Sequence, residues 1–331
     1  FSKVGLASSA GAASGTAPAA APWTLVLQKP SKDDPAYEPR VRAKYAAWFE
    51  ALHKLLAERY GTPLGLVRRA DAPELALVVL PTPGDFDNYL SLTAEEHDIV
   101  DWPSAYNRKL RAVIAREDPF GKPDSSADVF PVNVEFVRAW LHAHFQGPAE
   151  RTPPPWLTEG LAGYVARVPS RKVAELGKQP ALDGENIRGL VETCMDETRR
   201  KTCVLTFREL VHANGWRDLS ELFGKRTAAL KAEPLPYGDW CWQFVQQSVV
   251  WTHFLQDGGD PALRTAYGRY LALVLAGKDV DVAESEAFGA ATQGLDLRMW
   301  TWLFDRAEKT VAALRVDRTA LDALAEQFAP Q

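Results

Sequence analysis

Residues 132–164, VNVEFVRAWLHAHFQGPAERTPPPWLTEGLAGY, decide the fold of this chain. Apolar residues at three- and four-residue spacing predict a helix over 131–145. A proline-rich turn separates this helix from a second one that contains Glu159. Three polar residues of the first helix share one face, which we expect to look at the second helix: Glu135, Arg138 and His142.

The stretch has the spacing of a zinc-peptidase site without most of its chemistry. Such a site has H-E-x-x-H on one helix, where the two histidines bind zinc and the glutamate is the general base, and a third ligand, a glutamate, on the next helix. With His142 as the second histidine, Arg138 takes the place of the first and Ala139 that of the base. A guanidinium cannot lose a proton to bind a metal, and a methyl group cannot transfer one. The sequence therefore predicts no catalytic residue here, only a remnant site: Arg138, His142, Glu159 and Glu135.

A family resemblance rests on three segments. These are P-x-W-L-x-E-G-L-A-x-Y at 154–164, QQSVVWTHFL at 246–255 and LRTAYGRYLALVLAGKDVDVAESEAFG at 263–289. Together they resemble the peptidase-MA-like family of gluzincins, over about residues 42–305. The resemblance implies a zincin-like fold, and only His142 and Glu159 fall on the family's metal-ligand positions. The missing H-E dipeptide is where this chain departs from the family.

The lost histidine has a charged replacement. A buried carboxylate without its metal is costly unless another positive group pairs with it. A guanidinium supplies both the charge and a two-pronged hydrogen-bond donor. We therefore expect Arg138 to pair with Glu159 in place of the ion, with no cofactor bound.

An alternative keeps a zinc ion in a displaced site. Its ligands would be His142, His144 and Glu159, with Glu135 as a possible fourth. Residues two apart on an ideal helix point about 200° from each other. His142 and His144 can therefore face one ion only if the helix ends between them.

The composition of the chain limits the classes of partner that we expect. The chain has 331 residues, of which 46% are hydrophobic and 24% charged, with a net charge of −5. These values are typical of globular proteins. There is no basic domain and no long block of one charge, which argues against nucleic acid or an anionic membrane as partner. No run of about 18 apolar residues predicts a transmembrane segment.

The first 22 residues are almost entirely alanine, serine, glycine and proline. Such a segment has too few large apolar groups to order itself, which predicts a disordered linker or an arm that becomes ordered on a neighbouring subunit. A linker behind an already removed signal peptide would make this an exported protein, periplasmic or extracellular. In such a compartment Cys194 and Cys203 could form a disulfide, and two reduced thiols are the alternative.

The predicted fold class is α+β and mostly helical. Strands are expected from Trp23, at 75–80 and at 109–116, with the last at a sheet edge because it carries Lys and Arg. The expected organisation is an arm or disordered segment at 1–22, a zincin-like α+β part at 23–168 and a helical part at 169–331. By analogy with zincins, an edge strand at 109–116 would line the groove under the 131–145 helix and accept a peptide by strand addition.

These features predict a catalytically inactive metallopeptidase-like protein that serves binding or assembly. A protein or peptide is the expected partner, and the N-terminal arm could join the chain to a larger complex. The alternative is a zinc metallohydrolase with a rearranged site.

Overall fold

The fold is mostly helical, with one small mixed sheet. It is known from a computed structural model, which describes residues 23–28, 34–70, 72, 75–93, 100–101, 104–116, 129–148, 151–166, 182, 184–311 and 314–329. The predicted N-terminal arm at 1–22 lies outside the described residues. The α+β, mostly helical class predicted from the sequence is confirmed.

The sheet has five strands in the order β1-β2-β5-β4-β3. Strands β1, β2 and β5 are parallel, while β4 is antiparallel to both of its neighbours. The strands are β1 Trp23–Leu27, β2 Leu75–Leu80, β3 Val100–Asp101, β4 Ser104–Asn107 and β5 Ala112–Arg116.

Helices surround the sheet and continue to the C-terminus. The first helix ends in a π-helical turn at Ala57–Gly61. The helices are α1 Tyr37–Leu56, α2 Pro83–Leu92, α3 Val129–His144, α4 Pro155–Ala166, α5 Gly184–Met195, α6 Glu197–Cys203, α7 Phe207–His212, α8 Trp216–Ala229, α9 Tyr237–Asp257, α10 Pro261–Leu275, α11 Val280–Ala287, α12 Leu295–Thr310 and α13 Thr319–Gln327.

The two faces of the sheet pack into different cores. Alternation along β5 sends Val113 and Ala115 into the main core, and Ala112 and Ile114 into a small core with Phe86 of α2. The main core runs without a break from α1 through α3, α4 and α9 to α13. One hydrophobic cluster therefore joins the strand-containing part to the helical part.

The prediction that 109–116 forms an edge strand is wrong. The strand begins at Ala112, and β5 lies between β2 and β4. Arg111 belongs to the preceding turn, where its φ is 51°, and Arg116 is the last residue of the strand. The charged residues thus mark the two ends of a central strand. Its hydrogen-bonding groups are paired on both sides, so it cannot accept a peptide by strand addition.

The segment that carries two of the cysteines contains a short helix, α6. The Asp196 side chain caps it by accepting from Arg199 N at 2.8 Å. Cys194 and Cys203, near the two ends of this segment, are both buried and do not form a disulfide, and Cys241 is buried as well. Burial raises the pKa of the Cys194 and Cys203 thiols. None of the described helices combines the length and the apolar character that crossing a membrane requires.

Two glycines of α4 allow it to approach α9 closely. A Cβ at Gly160 would lie 2.3 Å from Thr252 Oγ1 and 2.6 Å from the backbone oxygen of Ser248. A Cβ at Gly163 would lie 2.3 Å from Val249 Cγ2. Glycine inside a helix costs roughly 0.5–1 kcal/mol relative to alanine. The close contact between α4 and α9 explains why glycine stands at these two positions despite that cost.

We expect Gly160→Ala to destabilise the fold by roughly 1–3 kcal/mol, because the added methyl group forces α4 away from α9. The measurement is the free energy of unfolding in urea. Gly224→Ala is the matched control, since Gly224 lies inside α8 with nothing within 4 Å of an added Cβ. Its expected effect is a stabilisation of up to about 1 kcal/mol. Equal effects of the two substitutions would contradict the close-packing explanation.

Candidate functional site

The local sequence sets where α3 ends and where α4 begins. Helix α3 ends at His144, and Gln146 N then donates to Leu275 O at 2.7 Å. Helix α4 begins at Pro155, where the fixed φ of proline suits the first helical position. The carbonyl of Pro154 accepts the N–H groups of the next turn. The two helices pack against each other, and the polar residues predicted from the sequence lie between them.

A buried ion cluster joins the two helices. Arg138 Nε donates to Glu159 Oε1 at 3.0 Å, and Arg138 Nη2 donates to Glu159 Oε2. Arg138 Nη1 donates to Glu135 Oε1 at 2.6 Å. The side chains are only 6%, 4% and 0% exposed for Arg138, Glu159 and Glu135. One guanidinium therefore serves two buried carboxylates, and its pairing with Glu159 is the one expected from the sequence.

This cluster borders a cavity of about 520 Å³. Glu135, Arg138, His142 and Glu159 all line it. Ala139 is buried in the main core beside them and carries no group that could transfer a proton. The remaining walls come from the end of β4, the segment before α4, the start of α8 and the turn between α10 and α11.

His142 is a neutral imidazole at the edge of the cavity. Burial, together with the positive charges of Arg108, Arg111 and Arg138, lowers its pKa to about 3. Its ring packs against Tyr106, with ring centroids 5.0 Å apart. A base with so low a pKa holds almost no protons at neutral pH and is a poor proton acceptor for catalysis.

His144 does not line the cavity. Its Nδ1 is 2.8 Å from the carbonyl oxygen of Trp140, and its ring packs on the Trp140 ring with centroids 4.0 Å apart. Burial is the main cause of its lowered pKa. Although all three residues are described, the proposed alternative ligands His142, His144 and Glu159 do not come together as a metal-binding group. The residues at this position do not fit a zinc ion.

A different set of side chains has metal-ligand spacing. Within the described part of the chain, one group of three brings its ligand atoms within 4.8 Å of one another: His212, Asp281 and Glu284. His212 Nε2 is 2.6 Å from Glu284 Oε2, and His212 Nδ1 is 3.3 Å from Asp281 Oδ1. Both imidazole nitrogens thus already have a carboxylate partner. A metal ion would have to displace one of these contacts.

A close backbone contact lies beside the cavity, which Gly277 lines. Gly277 has a φ of +84°, a conformation that favours glycine, and a Cβ there would lie 3.0 Å from Cα and N of Gly147. The segment 145–148 and the turn at 274–280 therefore touch without intervening side chains. Phe145, Pro148, Val274 and Lys278 line the cavity on either side of this contact.

Sequence reasoning missed most of the cavity. Three segments that are far apart in the chain contribute to its lining. One contributes Tyr106 and Arg108, the second contributes Trp216, and the third contributes Lys278. Their sequence neighbourhoods are ordinary strand ends, helix starts and turns, and no spacing along the chain connects them. Helices α8 and α11 both begin at the cavity, but this becomes visible only in the tertiary fold. We find no sequence signal that would have indicated these residues.

Comparisons of the chain with protein-family models, with curated proteins and with solved structures gave no match.

Arg138→Met should destabilise the protein by about 3–5 kcal/mol, because two carboxylates would remain buried without the guanidinium. The measurement is the free energy of unfolding in urea at pH 7. The control variant replaces the whole cluster as Glu135→Leu, Arg138→Met and Glu159→Leu. We expect it to be more stable than Arg138→Met alone, since no buried charge is left. A loss below about 1 kcal/mol for Arg138→Met would contradict a structural role of the cluster.

His142 should make stability depend on pH. Its pKa is about 3 in the folded chain and about 6.5 when unperturbed, so the unfolded chain binds more protons between these values. The contribution of His142 to the free energy of unfolding is therefore fully present above about pH 6.5 and is lost as the pH falls toward 3. When the pH is lowered from 7 to 5, the free energy of unfolding of His142→Asn should fall by about 2 kcal/mol less than that of the wild type. If urea unfolding shows that the wild type and His142→Asn lose the same free energy of unfolding between the two pH values, this imidazole is not held neutral.

Proposed function

We propose that this chain is a catalytically inactive, metallopeptidase-like protein with a zincin-like fold that acts as a binding or assembly component outside the cytoplasm. The position of Arg138 carries the proposal. It occupies the place of a first zinc-binding histidine and already binds the carboxylate that would be the third ligand. The proposed location rests on the composition of the N-terminal segment alone.

Two further features support the loss of hydrolysis. Ala139 stands where a general base is needed, and no methyl group activates water. The remaining histidine, His142, has a pKa of about 3, far from the near-neutral value that suits an acid or a base in catalysis. Both features support the proposal that Ala139 and His142 do not activate water as the corresponding groups of a peptidase would.

The arrangement of elements supports a zincin-like fold. A small mixed sheet with an antiparallel strand next to β5 lies against α3, and α4 follows with its glutamate facing α3. The strand that was predicted to accept a peptide, β5, lies inside the sheet with a neighbour on each side. We therefore propose that a partner binds through the cavity rather than along β5.

An assembly role through exposed tryptophans has less support. Trp140, Trp156, Trp251 and Trp300 are among the largest fully buried side chains. Among the described tryptophans, only Trp242 is exposed enough to count as a large surface hydrophobic group. The tryptophans of the helical part thus serve its core more than its surface.

A second candidate function is a zinc metallohydrolase whose metal site differs from the predicted alternative of His142, His144 and Glu159. The observation in its favour is the group of His212 on α7 with Asp281 and Glu284 on α11, the helix that begins at the cavity-lining Val280. Against it stand the two ring contacts that already engage His212.

Zinc binding tests the proposal. We expect the purified wild-type protein to contain far less than one zinc ion per chain. Arg138→His should raise the content toward one, because it would complete a set with His142 and Glu159 around the cavity. Arg138→Met is the matched control and should not raise it. The measurement is elemental analysis after dialysis against buffered zinc.

Other outcomes assign the metal elsewhere. Stoichiometric zinc in the wild type that is lost on His142→Ala would contradict the proposal and favour the rearranged site of His142, His144 and Glu159. Loss on His212→Ala would instead assign the metal to His212, Asp281 and Glu284. A zinc content that Arg138→His leaves unchanged, in a folded protein, would show that these residues do not form a degenerate zinc site.

A further inference from the structure

The sheet has two edges, and they differ in how well they are protected. At one edge lies β3, which has only two residues, one of them Asp101. At the other edge lies β1, Trp23–Leu27, whose five residues WTLVL include no charged residue and no proline. Proteins commonly protect a sheet edge with charged residues, prolines or very short strands, because the unpaired backbone groups of an edge can bind another strand. Strand β1 has none of these three features.

The hydrogen bonds to β2 show which residues of β1 face outward. Gln28 N, directly after the strand, donates to Val79 O of β2 at 3.1 Å. The direction of the backbone groups alternates along a strand, so every second residue before Gln28 also bonds to β2, and the residues between them face away. The outward-facing residues are Trp23, Leu25 and Leu27. Among the described residues, no strand lies on this side of β1.

The outward side of β1 is complementary to itself. When two copies of β1 run antiparallel about a two-fold axis at Leu25, Leu25 faces Leu25 of the second copy, and Trp23 faces Leu27. These are hydrogen-bonded pairs, in which the two residues exchange both N–H···O bonds. The remaining pair joins Thr24 to Val26, and β-branched residues favour strand pairing. In this register all three outward-facing residues find a partner, and no charge is brought close to another.

Other segments of the chain are less suited to this edge. Residues 1–22, which precede β1, are rich in alanine, glycine and proline, and these residue types are depleted from strands. Strands β2, β5 and β4 have neighbours on both sides, and β3 has only two residues. Within the part of the chain that the structure describes, the strand that best matches β1 in length and in hydrogen-bonding pattern is therefore β1 of a second copy.

We propose that two copies of this chain associate through β1, as an antiparallel strand pair about a two-fold axis at Leu25. The two five-stranded sheets then form one continuous sheet. The same surface is used on both copies, as in most homodimers. One strand pair is small compared with a stable interface, which buries roughly 1,200–2,000 Å², so we expect weak, concentration-dependent association. The inference goes beyond the proposed function, because it uses neither the cavity nor the absence of zinc.

Disulfide cross-linking tests the register. Hydrogen-bonded residues of antiparallel strands have Cα atoms about 5.5 Å apart, within the roughly 4.4–6.8 Å that a disulfide spans. Leu25→Cys should therefore give covalent dimers when glutathione disulfide oxidises the new thiols and is itself reduced. Leu27→Cys is the matched control, because its two copies would lie four residues out of register, roughly 14 Å apart. Non-reducing gel electrophoresis is the measurement, and the wild type gives the background from the three buried native cysteines.

Sedimentation equilibrium of the full chain, from about 1 μM to about 1 mM, measures the association itself. Leu25→Pro should weaken it at least about tenfold, because proline removes the central outward N–H. Proline is compatible with an edge position whose N–H faces away from the sheet. Leu25→Val, which keeps this N–H, is the matched control and should associate like the wild type. Urea unfolding checks the fold of each variant. Should Leu25→Pro not fold, Val26→Lys takes its place, because lysine on an edge strand opposes pairing.

Several outcomes would overturn the inference. They are a wild type that stays monomeric at about 1 mM, equal cross-linking of Leu25→Cys and Leu27→Cys, and a folded Leu25→Pro that associates like the wild type. Protection of the Leu25 amide from hydrogen exchange in a monomer would also overturn it, since a segment of the same chain would then cover the edge. Stoichiometric zinc in a chain that dimerises through β1 would overturn the proposed function and leave this inference standing.

Discussion

The buried pairing of Arg138 with Glu159 is the interaction on which the other parts of this structure depend. Helix α3 lies on the sheet, and α4 packs along α9 through glycine contacts. The guanidinium connects α3 to α4 and therefore connects the sheet to the helical part. A metal ion bound by the same two helices would hold them together in a similar way. Arginine does so with a permanent charge and directional hydrogen bonds, and it needs no ion from solution.

Sequence patterns were sufficient for helices α3 and α4, for strands β1 and β2 and for the pairing of Arg138 with Glu159. Apolar periodicity reports burial, and helical spacing reports which residues share a face. The patterns failed for β5, because Arg111 and Arg116 resemble the charged residues of an edge strand. In the structure these residues flank a strand that is buried over Ala112–Ala115. Charge at the ends of a short strand and charge along an edge look the same in one sequence, and only the partner strands distinguish them.

The cavity could not have been predicted in the same way. Its lining comes from segments that are more than a hundred residues apart, such as Arg108 and Trp216. Each residue is unremarkable in its own helix or turn. Glu135 and Glu159, by contrast, share the guanidinium of Arg138 on two neighbouring helices, where helical spacing indicates which residues can meet. The part of the site that lies on neighbouring helices is thus predictable from sequence, and the part assembled by the tertiary fold is not.

The contact between Gly147 and Gly277 has a consequence for how this protein can change over time. The spacing of the two segments at this contact is set by backbone atoms, since a Cβ at Gly277 would lie 3.0 Å from Cα and N of Gly147. Lys278 and Val280, which follow Gly277 and line the cavity, are not part of this contact and can be exchanged without altering that spacing. The glycine is therefore the fixed position of this turn, and the residues after it are the ones that can vary.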